Sequence, residues 1–331
     1  MEVHSVIQGP QPLPVSLRIS VTDRCQVRCF YCMPPEGVPA CDHADVLRFE
    51  QIVRFVRAVK DHLGLSKAHL TGGEPLVRAG IVDLVSMLAA EGVDDLALTT
   101  NGLRLGEMAG DLRAAGLNRV NVSLDSLAEH TFASLTGGGS LQDVLTGIET
   151  ALAEGLTPVK LNVVVLKGVN DHEVVGLAEW GLQRGCWVRF LELMPIGFAQ
   201  RQHKDLFVPA SEIRKRLEQI FTLEPLAETC GASSRNFMAT ARDSAGRSGI
   251  IGFITPETEP FCRGCRRLRL TSTGRLIACL AQDHGAEIRE LLGDAGPAAE
   301  QELKETVTHL LGLKGPRTSF PEDRVMSTVG G

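Results

Sequence analysis

The sequence predicts an α/β fold, a partial (β/α)6 TIM-type barrel with a C-terminal α+β extension. Over the first two-thirds of the 331 residues, a short β-branched run, a polar turn and an amphipathic helix pattern recur in that order. Alternating strands and helices are typical of parallel sheets, and six right-handed units close most of a barrel. The repeated pattern stops near residue 225. We therefore expect a barrel over 11–225 and an extension over 226–331 that forms a separate module.

The individual elements follow from hydrophobic periodicity and turn residues. Six strands are expected at 17–22, 67–71, 95–100, 119–124, 158–166 and 187–193. Apolar residues at helical spacing predict helices at 49–63, 79–91, 104–115, 140–154 and 171–184. The extension contains strand-like runs over 237–254, a hairpin turning at 272–274 and two helical stretches over 284–312. Because polar motifs follow the first four strands, we expect those motifs to meet at the C-terminal mouth of the barrel.

Composition excludes several classes of protein. With 44% hydrophobic and 22% charged residues, the chain resembles a globular enzyme, and no apolar stretch approaches membrane-spanning length. A formal charge of -6 gives no basic field that would attract nucleic acid or anionic lipid. The N-terminus contains no export signal, so a cytoplasmic location is expected. Cysteines clustered in such a chain indicate metal binding rather than disulfides.

The first cysteine cluster is Cys25-x3-Cys29-x2-Cys32. Thiolates select zinc, copper(I) or iron-sulfur clusters. A structural zinc site commonly has four ligands, and Cys41 is too far along the chain to be a good fourth ligand. Three thiolates on a four-iron cluster leave one iron open to a chelating molecule, so this spacing favours an iron-sulfur cluster.

The second cluster is Cys262-x2-Cys265-x13-Cys279, in which a hairpin returns the third thiol to the first two. Its spacing alone leaves two interpretations open. One is another incompletely ligated iron-sulfur cluster. The other is zinc, because a CxxC turn followed by a hairpin cysteine is also typical of zinc ribbons, with His284 or Cys230 as the fourth ligand.

A basic run is interleaved with the second cluster and consists of Arg263, Arg266, Arg267 and Arg269. Guanidinium groups bind phosphate oxygens in a bidentate manner, so the run favours a polyphosphate ligand. In a strand, Arg267 and Arg269 share one face, as a pair facing a ligand requires. A solvated hairpin face is the alternative.

A few further polar residues have no place in either cluster. We expect Cys41, Cys186 and Cys230 to be small buried apolar residues. Asp125 has two interpretations, as a contact to a ribose hydroxyl or as a helix N-cap.

The first cluster, followed by Met33 and Pro34, and the GGEP turn at 72–75 together resemble the radical S-adenosylmethionine (SAM) superfamily. Within it, the segments LRISVTDRC, TGGEP, LTTNG, VNVSLDSL, RFLELMPIG and FCRGCRRLRLTSTGRLIACL are similar to the GTP 3′,8-cyclase family of molybdenum cofactor biosynthesis. The resemblance runs from about residue 11 to the last residue. It implies two [4Fe-4S] clusters and S-adenosyl-L-methionine as cofactors.

The resemblance also implies an activity. A 5′-deoxyadenosyl radical would remove the ribose 3′ hydrogen of GTP, and C3′ would attack C8 of guanine. This lyase would make (8S)-3′,8-cyclo-7,8-dihydroguanosine 5′-triphosphate. The implied partners are GTP, an electron donor of flavodoxin or ferredoxin type, and a cyclic pyranopterin monophosphate synthase that receives the product. A homodimer is a candidate assembly. The alternatives are a radical SAM paralogue acting on another nucleotide or a peptide, and a non-catalytic zinc-binding protein.

Residues that match family motifs acquire implied roles. The first trio would hold the SAM cluster and the second trio the cluster that binds GTP. SAM contacts are implied for Tyr31, Gly73, Glu74, Ser123 and Met194. GTP contacts are implied for Arg18, His69, Thr100, Lys160, Arg189, Arg267, Leu268 and Arg269, and the tail Gly330-Gly331 would reach the active site. No side chain is expected to act as a catalytic acid or base, since the chemistry belongs to the SAM cluster.

Two positions depart from the family pattern. His69 stands where the family usually has arginine, and Arg266 stands where it usually has asparagine. A neutral imidazole lacks the fixed charge of a guanidinium group, and Arg266 is a candidate to compensate. Both changes affect the expected phosphate contacts and leave the cysteine trios intact.

Overall fold

The structure is a computed structural model that describes residues 13–34, 36–228, 230–243, 247–316, 320 and 326–329. The predicted tail residues Gly330 and Gly331 lie outside the described residues. Within them, twelve strands form one sheet. The strands are β1 (Val15–Ser20), β2 (Leu65–Thr71), β3 (Leu96–Thr100), β4 (Arg119–Ser123), β5 (Lys160–Val164), β6 (Trp187–Leu191), β7 (Phe221–Pro225), β8 (Arg235–Ala241), β9 (Ser248–Ile254), β10 (Arg267–Leu270), β11 (Arg275–Ile277) and β12 (Gly285–Glu287).

Eleven α-helices accompany this sheet in the described residues. They are α1 (Phe49–Leu63), α2 (Ile81–Ala90), α3 (Leu105–Ala114), α4 (Glu129–Thr136), α5 (Leu141–Ala153), α6 (Val174–Gln183), α7 (His203–Leu206), α8 (Ala210–Leu217), α9 (Arg289–Gly293), α10 (Pro297–Gly312) and α11 (Met326–Val329). The six predicted strands and five predicted barrel helices are all present. In the described part of the chain, no helix combines the length and apolar character needed to cross a bilayer.

Helix α1 shows why the periodic pattern gives these elements. Its buried side chains include Ile52, Val56 and Val59, which recur at helical spacing and pack against the sheet. At its start, the Gln51 side chain accepts a hydrogen bond from the backbone of Arg48 at 2.9 Å. At its end, Gly64 adopts a φ of 71°, a conformation that favours glycine and stops the helix.

The sheet order is β12-β11-β10-β1-β2-β3-β4-β5-β6-β9-β8-β7. Strands β1 to β6 are parallel and follow chain order, which confirms the predicted barrel. Strand β10 adds in parallel to β1, and β9 adds in parallel to β6. We expected the strands after residue 225 to form a separate module. Instead, they extend both edges of the same sheet, because β1 and β6 would otherwise have unpaired backbone groups. The domain boundary at 225 stays a prediction.

Side chains alternate between the two faces of the barrel strands. In β1, Leu17 and Ile19 belong to the hydrophobic core, whereas Arg18 between them faces the interior cavity. In β10, Leu268 belongs to the core, whereas Arg267 and Arg269 face the cavity. The outer face is therefore apolar under the helices, and the inner face carries charge.

The contact between α3 and α5 depends on a glycine. A Cβ on Gly147 would lie 2.8 Å from the carbonyl oxygen of Gly102 and 3.0 Å from the Cβ of Leu105. We expect Gly147→Ala to lower the free energy of unfolding by roughly 1–3 kcal/mol through overpacking, measured by urea denaturation. The matched control is Gly176→Ala in α6, where a Cβ would meet nothing within 4 Å. Equal losses in both variants would contradict this packing.

Candidate active site

A cavity of about 330 Å³ lies inside the barrel and reaches the carboxyl ends of its strands. Its volume falls in the range of small-molecule sites. The loops after β1, β2, β3 and β4 contribute Cys25, Gly73, Asn101 and Asp125 respectively, as the strand-end pattern predicted. Sixteen of the predicted site residues line it, namely Arg18, Cys25, Cys29, Tyr31, Cys32, Gly73, Glu74, Thr100, Ser123, Arg189, Met194, Cys262, Cys265, Arg267, Arg269 and Cys279.

The first cysteine trio lies on the loop after β1. A turn joins Cys29 to Cys32, whose backbone nitrogen donates to the Cys29 carbonyl oxygen at 2.8 Å. Burial raises the pKa of all three thiols, to about 12 for Cys32, and the carboxylates of Glu74 and Asp125 add to the effect at Cys25 and Cys29. Thiolates at these positions would need a positively charged centre to stabilise them beside the carboxylates, and the iron core of an iron-sulfur cluster would supply it.

The GGEP turn packs directly against this loop. The backbone nitrogens of Gly73 and Glu74 donate to the carbonyl oxygens of Thr22 and Arg24, each at 2.7 Å. A Cβ on Gly72 would lie 2.6 Å from the Thr22 carbonyl oxygen. The resemblance implies that Gly73 of this turn contacts SAM. The described contacts show a second requirement, since the glycines also let two backbones approach and fix the start of the cysteine loop.

Glu74 joins the ends of β2 and β3. Its carboxylate accepts hydrogen bonds from the Thr100 hydroxyl at 2.8 Å, the Leu76 nitrogen at 2.9 Å and the Asn101 nitrogen at 2.6 Å. Burial nevertheless raises the pKa of Glu74 to about 7. The Asn101 side-chain amide in turn lies 3.8 Å from the sulfur of Cys25. Glu74 thus orients the residues behind the first trio.

Asp125 forms a hydrogen bond with Tyr31, which lies between the second and third cysteines of the trio. The Tyr31 hydroxyl donates to Asp125 Oδ2 at 2.5 Å, and the Val164 nitrogen donates to Oδ1 at 2.8 Å. Burial raises the pKa of Asp125 to about 6. The N-cap interpretation of Asp125 is wrong, because α4 begins after Ala128. The carboxylate instead ties the cysteine loop to β5.

The second trio lies on the opposite side of the same cavity. The backbone nitrogen of Cys265 donates to the Cys262 carbonyl oxygen at 3.1 Å, and the β10–β11 hairpin brings back Cys279. Burial acts to raise the pKa of Cys265, yet Lys314 and Arg267 outweigh it and lower that pKa. The second trio therefore lies beside cations, whereas the first lies beside carboxylates.

Four arginines line the cavity between the trios, and they are Arg18, Arg189, Arg267 and Arg269. Burial and the charge of neighbouring arginines lower the pKa of Arg18 and of Arg189 to about 9, and that of Arg269 well below its usual value. Among the described residues, Arg189 Nε is buried without a hydrogen-bond partner. A cluster of this kind is stabilised by a polyanion, so its chemistry fits a triphosphate.

Three predicted GTP contacts do not line the cavity. Lys160 is the first residue of β5, and its Nζ lies 4.1 Å from the centre of the Trp187 ring. Burial, followed by the charge of Arg189, lowers the pKa of Lys160 to about 7. His69 Nε2 lies 2.6 Å from the Thr99 hydroxyl, and burial holds the pKa of His69 well below its usual value. Leu268 packs in the core on the other face of β10.

Asn162 and Lys314 are two of the cavity residues that the sequence analysis missed. Asn162 lies between Lys160 and Val164 on the inner face of β5, and its Oδ1 is buried without a hydrogen-bond partner in the described structure. Strand alternation through Lys160 was the signal that could have found it. Lys314 also lines the cavity, but it follows α10 in a stretch with no periodic pattern.

The remaining cysteines differ from one another. Cys186 is buried as expected, and burial raises its pKa to about 11. The expectation is wrong for Cys230, which is exposed, because it lies in a turn against Gly264 of the second trio's loop. Cys41 is half-buried, and its backbone nitrogen donates to Asp23 at 2.6 Å. No group of three or more His, Cys, Asp or Glu residues in the described ranges is arranged to hold a single metal ion.

Comparison with known proteins decides the family. The Radical SAM superfamily matches residues 19–181, and Molybdenum Cofactor Synthesis C matches residues 186–320. A GTP 3′,8-cyclase of Geobacter sulfurreducens is 45% identical over 91% of this chain and 90% of its own length. The chain belongs to the GTP 3′,8-cyclase family. Another member, from Moorella thermoacetica, is 43% identical over 95% of this chain and 97% of its own length.

Solved structures support the fold of this GTP 3′,8-cyclase family member. SuiB of Streptococcus suis, in a crystal structure with bound S-adenosylmethionine, superimposes with a TM-score of 0.59 at 16% identity. The match covers 88% of this chain and 68% of SuiB. It confirms the α/β fold, and membership of the family sets aside the non-catalytic zinc protein.

The hydrogen bonds of Glu74 generate a stability prediction. In Glu74→Gln, an amide NH2 would face a backbone or hydroxyl donor, so we expect the free energy of unfolding to fall by about 1–3 kcal/mol. The measurement is urea denaturation. The control is Glu107→Gln, which changes a carboxylate that is 73% exposed and lies 3.6 Å from Arg104. Its effect should stay within about 0.5 kcal/mol, and a similar loss in both variants would contradict the role of Glu74.

Proposed function

We propose that this protein is a GTP 3′,8-cyclase that joins ribose C3′ to guanine C8 in the first step of molybdenum cofactor biosynthesis. The observation that carries the proposal is one cavity lined by two cysteine trios with arginines between them. The names of relatives at 43–45% identity support it. A paralogue acting on another nucleotide or on a peptide has no specific observation in its favour.

The first trio, Cys25, Cys29 and Cys32, would hold the [4Fe-4S] cluster that binds SAM. When bound, SAM and the reduced cluster supply the 5′-deoxyadenosyl radical that removes the ribose 3′ hydrogen of GTP. The residues that would bind SAM are Tyr31, Gly73, Glu74, Ser123 and Met194, all of which line the cavity. Asp125 would orient Tyr31, and Asn101 would orient Cys25.

The second trio, Cys262, Cys265 and Cys279, would hold the cluster whose open iron binds guanine. The four cavity arginines would then bind the triphosphate and fix the ribose opposite the first trio, with Thr100 nearby. Lys160 and His69 do not line the cavity, although His69 lies beside Arg18 in the register of β1 and β2, so their contacts to GTP stay predictions. His69 is neutral, so it contributes hydrogen bonding without charge. Arg266 does not line the cavity.

The double-glycine tail is a further proposed element of this site. Val329, the last described residue, is buried, and its carbonyl oxygen lies 3.5 Å from Arg269 Nη1. Gly330 and Gly331 follow it directly in the sequence. The position of Val329 beside Arg269 supports the proposal that the tail acts near the triphosphate.

The reaction has requirements outside the chain. Reduction of the first cluster needs a one-electron donor, for which we propose a flavodoxin or ferredoxin. The cyclised triphosphate would pass to a cyclic pyranopterin monophosphate synthase. A cytoplasmic location would give access to GTP and to such donors.

The two trios should have separable roles. We expect Cys25→Ser to abolish SAM cleavage, because the open iron that chelates SAM is lost. Cys279→Ser should leave SAM cleavage in place and abolish GTP conversion. Chromatographic analysis of 5′-deoxyadenosine and of the cyclised nucleotide measures both, with iron content as a check on cluster loading. Cyclisation that continues in both variants would contradict this division.

The arginines should bind GTP without affecting SAM. We expect Arg267→Ala to weaken GTP binding by roughly tenfold or more, because a charge-assisted hydrogen bond to phosphate is lost. Isothermal titration of the anaerobic protein measures the affinity. Arg263→Ala is the matched control, since Arg263 lies in the same run but is exposed and outside the cavity lining. Equal GTP affinities in the two variants would reject Arg267 as a phosphate ligand.

A further inference from the structure

Lys314 lines the active-site cavity but is not among the residues proposed to hold a cluster, SAM or GTP. It follows the end of α10 at Gly312 and lines the cavity beside Cys265 and Cys279. An ammonium group has three hydrogen-bond donors. The described hydrogen bonds of the Lys314 ammonium group both go to backbone carbonyl oxygens within two residues of a cysteine of the second trio.

The contacts of Lys314 connect the two segments that carry the trio. Its Nζ donates to the carbonyl oxygen of Arg267 at 2.8 Å, two residues after Cys265. It also donates to the carbonyl oxygen of Ala278 at 2.5 Å, directly before Cys279. One side chain thus links the CxxC loop to the hairpin cysteine.

The charge of Lys314 distinguishes the two trios. The first trio has the carboxylates of Glu74 and Asp125 as its charged neighbours, whereas Lys314 lies beside Cys265 and Cys279. A cluster with three thiolate ligands becomes more negative on reduction. A cation beside its ligands therefore favours the reduced form, because the net charge around a cluster sets its potential.

We propose that Lys314 is a positioning residue for the second cluster: it holds the Cys262–Cys265 loop against the hairpin that carries Cys279, and its charge stabilises the reduced cluster. This inference rests on the proposed function, since it requires a cluster on the second trio. The inference goes beyond that function, because it assigns different electrostatic surroundings to two clusters that are each held by three cysteines.

The test is a redox titration of the full-length, anaerobically reconstituted protein, followed by electron paramagnetic resonance. The signal of the second cluster is assigned by its loss in Cys279→Ser. At a fixed potential, we expect Lys314→Met to lower the reduced-to-oxidised ratio of the second cluster by about tenfold, equivalent to ~59 mV for one electron. The reduced-to-oxidised ratio of the first cluster should not change in Lys314→Met. In Lys314→Arg, which keeps the charge, the ratio of the second cluster should stay near the wild-type value.

The matched control is Lys304→Met, because Lys304 lies on α10 but pairs with Glu300 at 2.6 Å, away from the cavity. Loss of about four irons in Lys314→Met with retention in Lys314→Arg would also support the proposal, and loss in both would overturn it. Unchanged potentials in Lys314→Met with about eight irons per chain would overturn the role of Lys314 alone. About four irons in the wild type would overturn the second cluster and this inference together.

Discussion

Strand β10 pairs in parallel with β1, and the active site depends on this pairing. It places Arg269 beside Arg18 and Arg267 beside Ser16 in the register of the two strands. Cys265 precedes β10 and Cys279 follows the antiparallel β11, so both lie near the amino-terminal end of β1, and they line the same cavity as the loop after β1. A register slip of one residue would turn Leu268 into the cavity and the arginines toward the helices.

The cavity built in this way is electrostatically divided. Carboxylates lie behind the first trio, and cations lie beside the second trio and between the two. This arrangement attracts a polyanion to one side of the cavity while the other side stays available for a cofactor with an amino group and a carboxylate. The strands around the cavity exclude water from it. This strengthens both effects, because charges interact more strongly at low dielectric.

The sequence was sufficient for everything that depends on local pattern. The barrel strands, the helices between them, the cysteine spacing and the strand-end motifs are local signals, and each was found where expected. The pairing of β10 with β1 was not predictable in this way, since no turn or spacing links strands so distant along the chain. The extension was therefore expected to stand apart from the barrel.

Other residues were missed for related reasons. Asp125 has the sequence context of a cap, and only the fold brings Tyr31 within hydrogen-bond distance of it. Cys230 resembles a core residue by type, but the turn that contains it lies at the surface. Lys314 has no motif of its own, and its position follows from tertiary packing, which a single sequence records only weakly. Asn162 shares a face of β5 with Lys160 by strand alternation, but only the fold shows that this part of the face lines the cavity.

The central claim is that two iron-sulfur sites in one cavity hold SAM and GTP so that a hydrogen passes between them. The most direct measurement uses anaerobic protein with dithionite, SAM and GTP labelled with deuterium at ribose C3′, followed by mass spectrometry. The account predicts deuterium in 5′-deoxyadenosine together with a 3′,8-cyclised nucleotide. SAM cleavage with no transfer of deuterium and no cyclised product would contradict it.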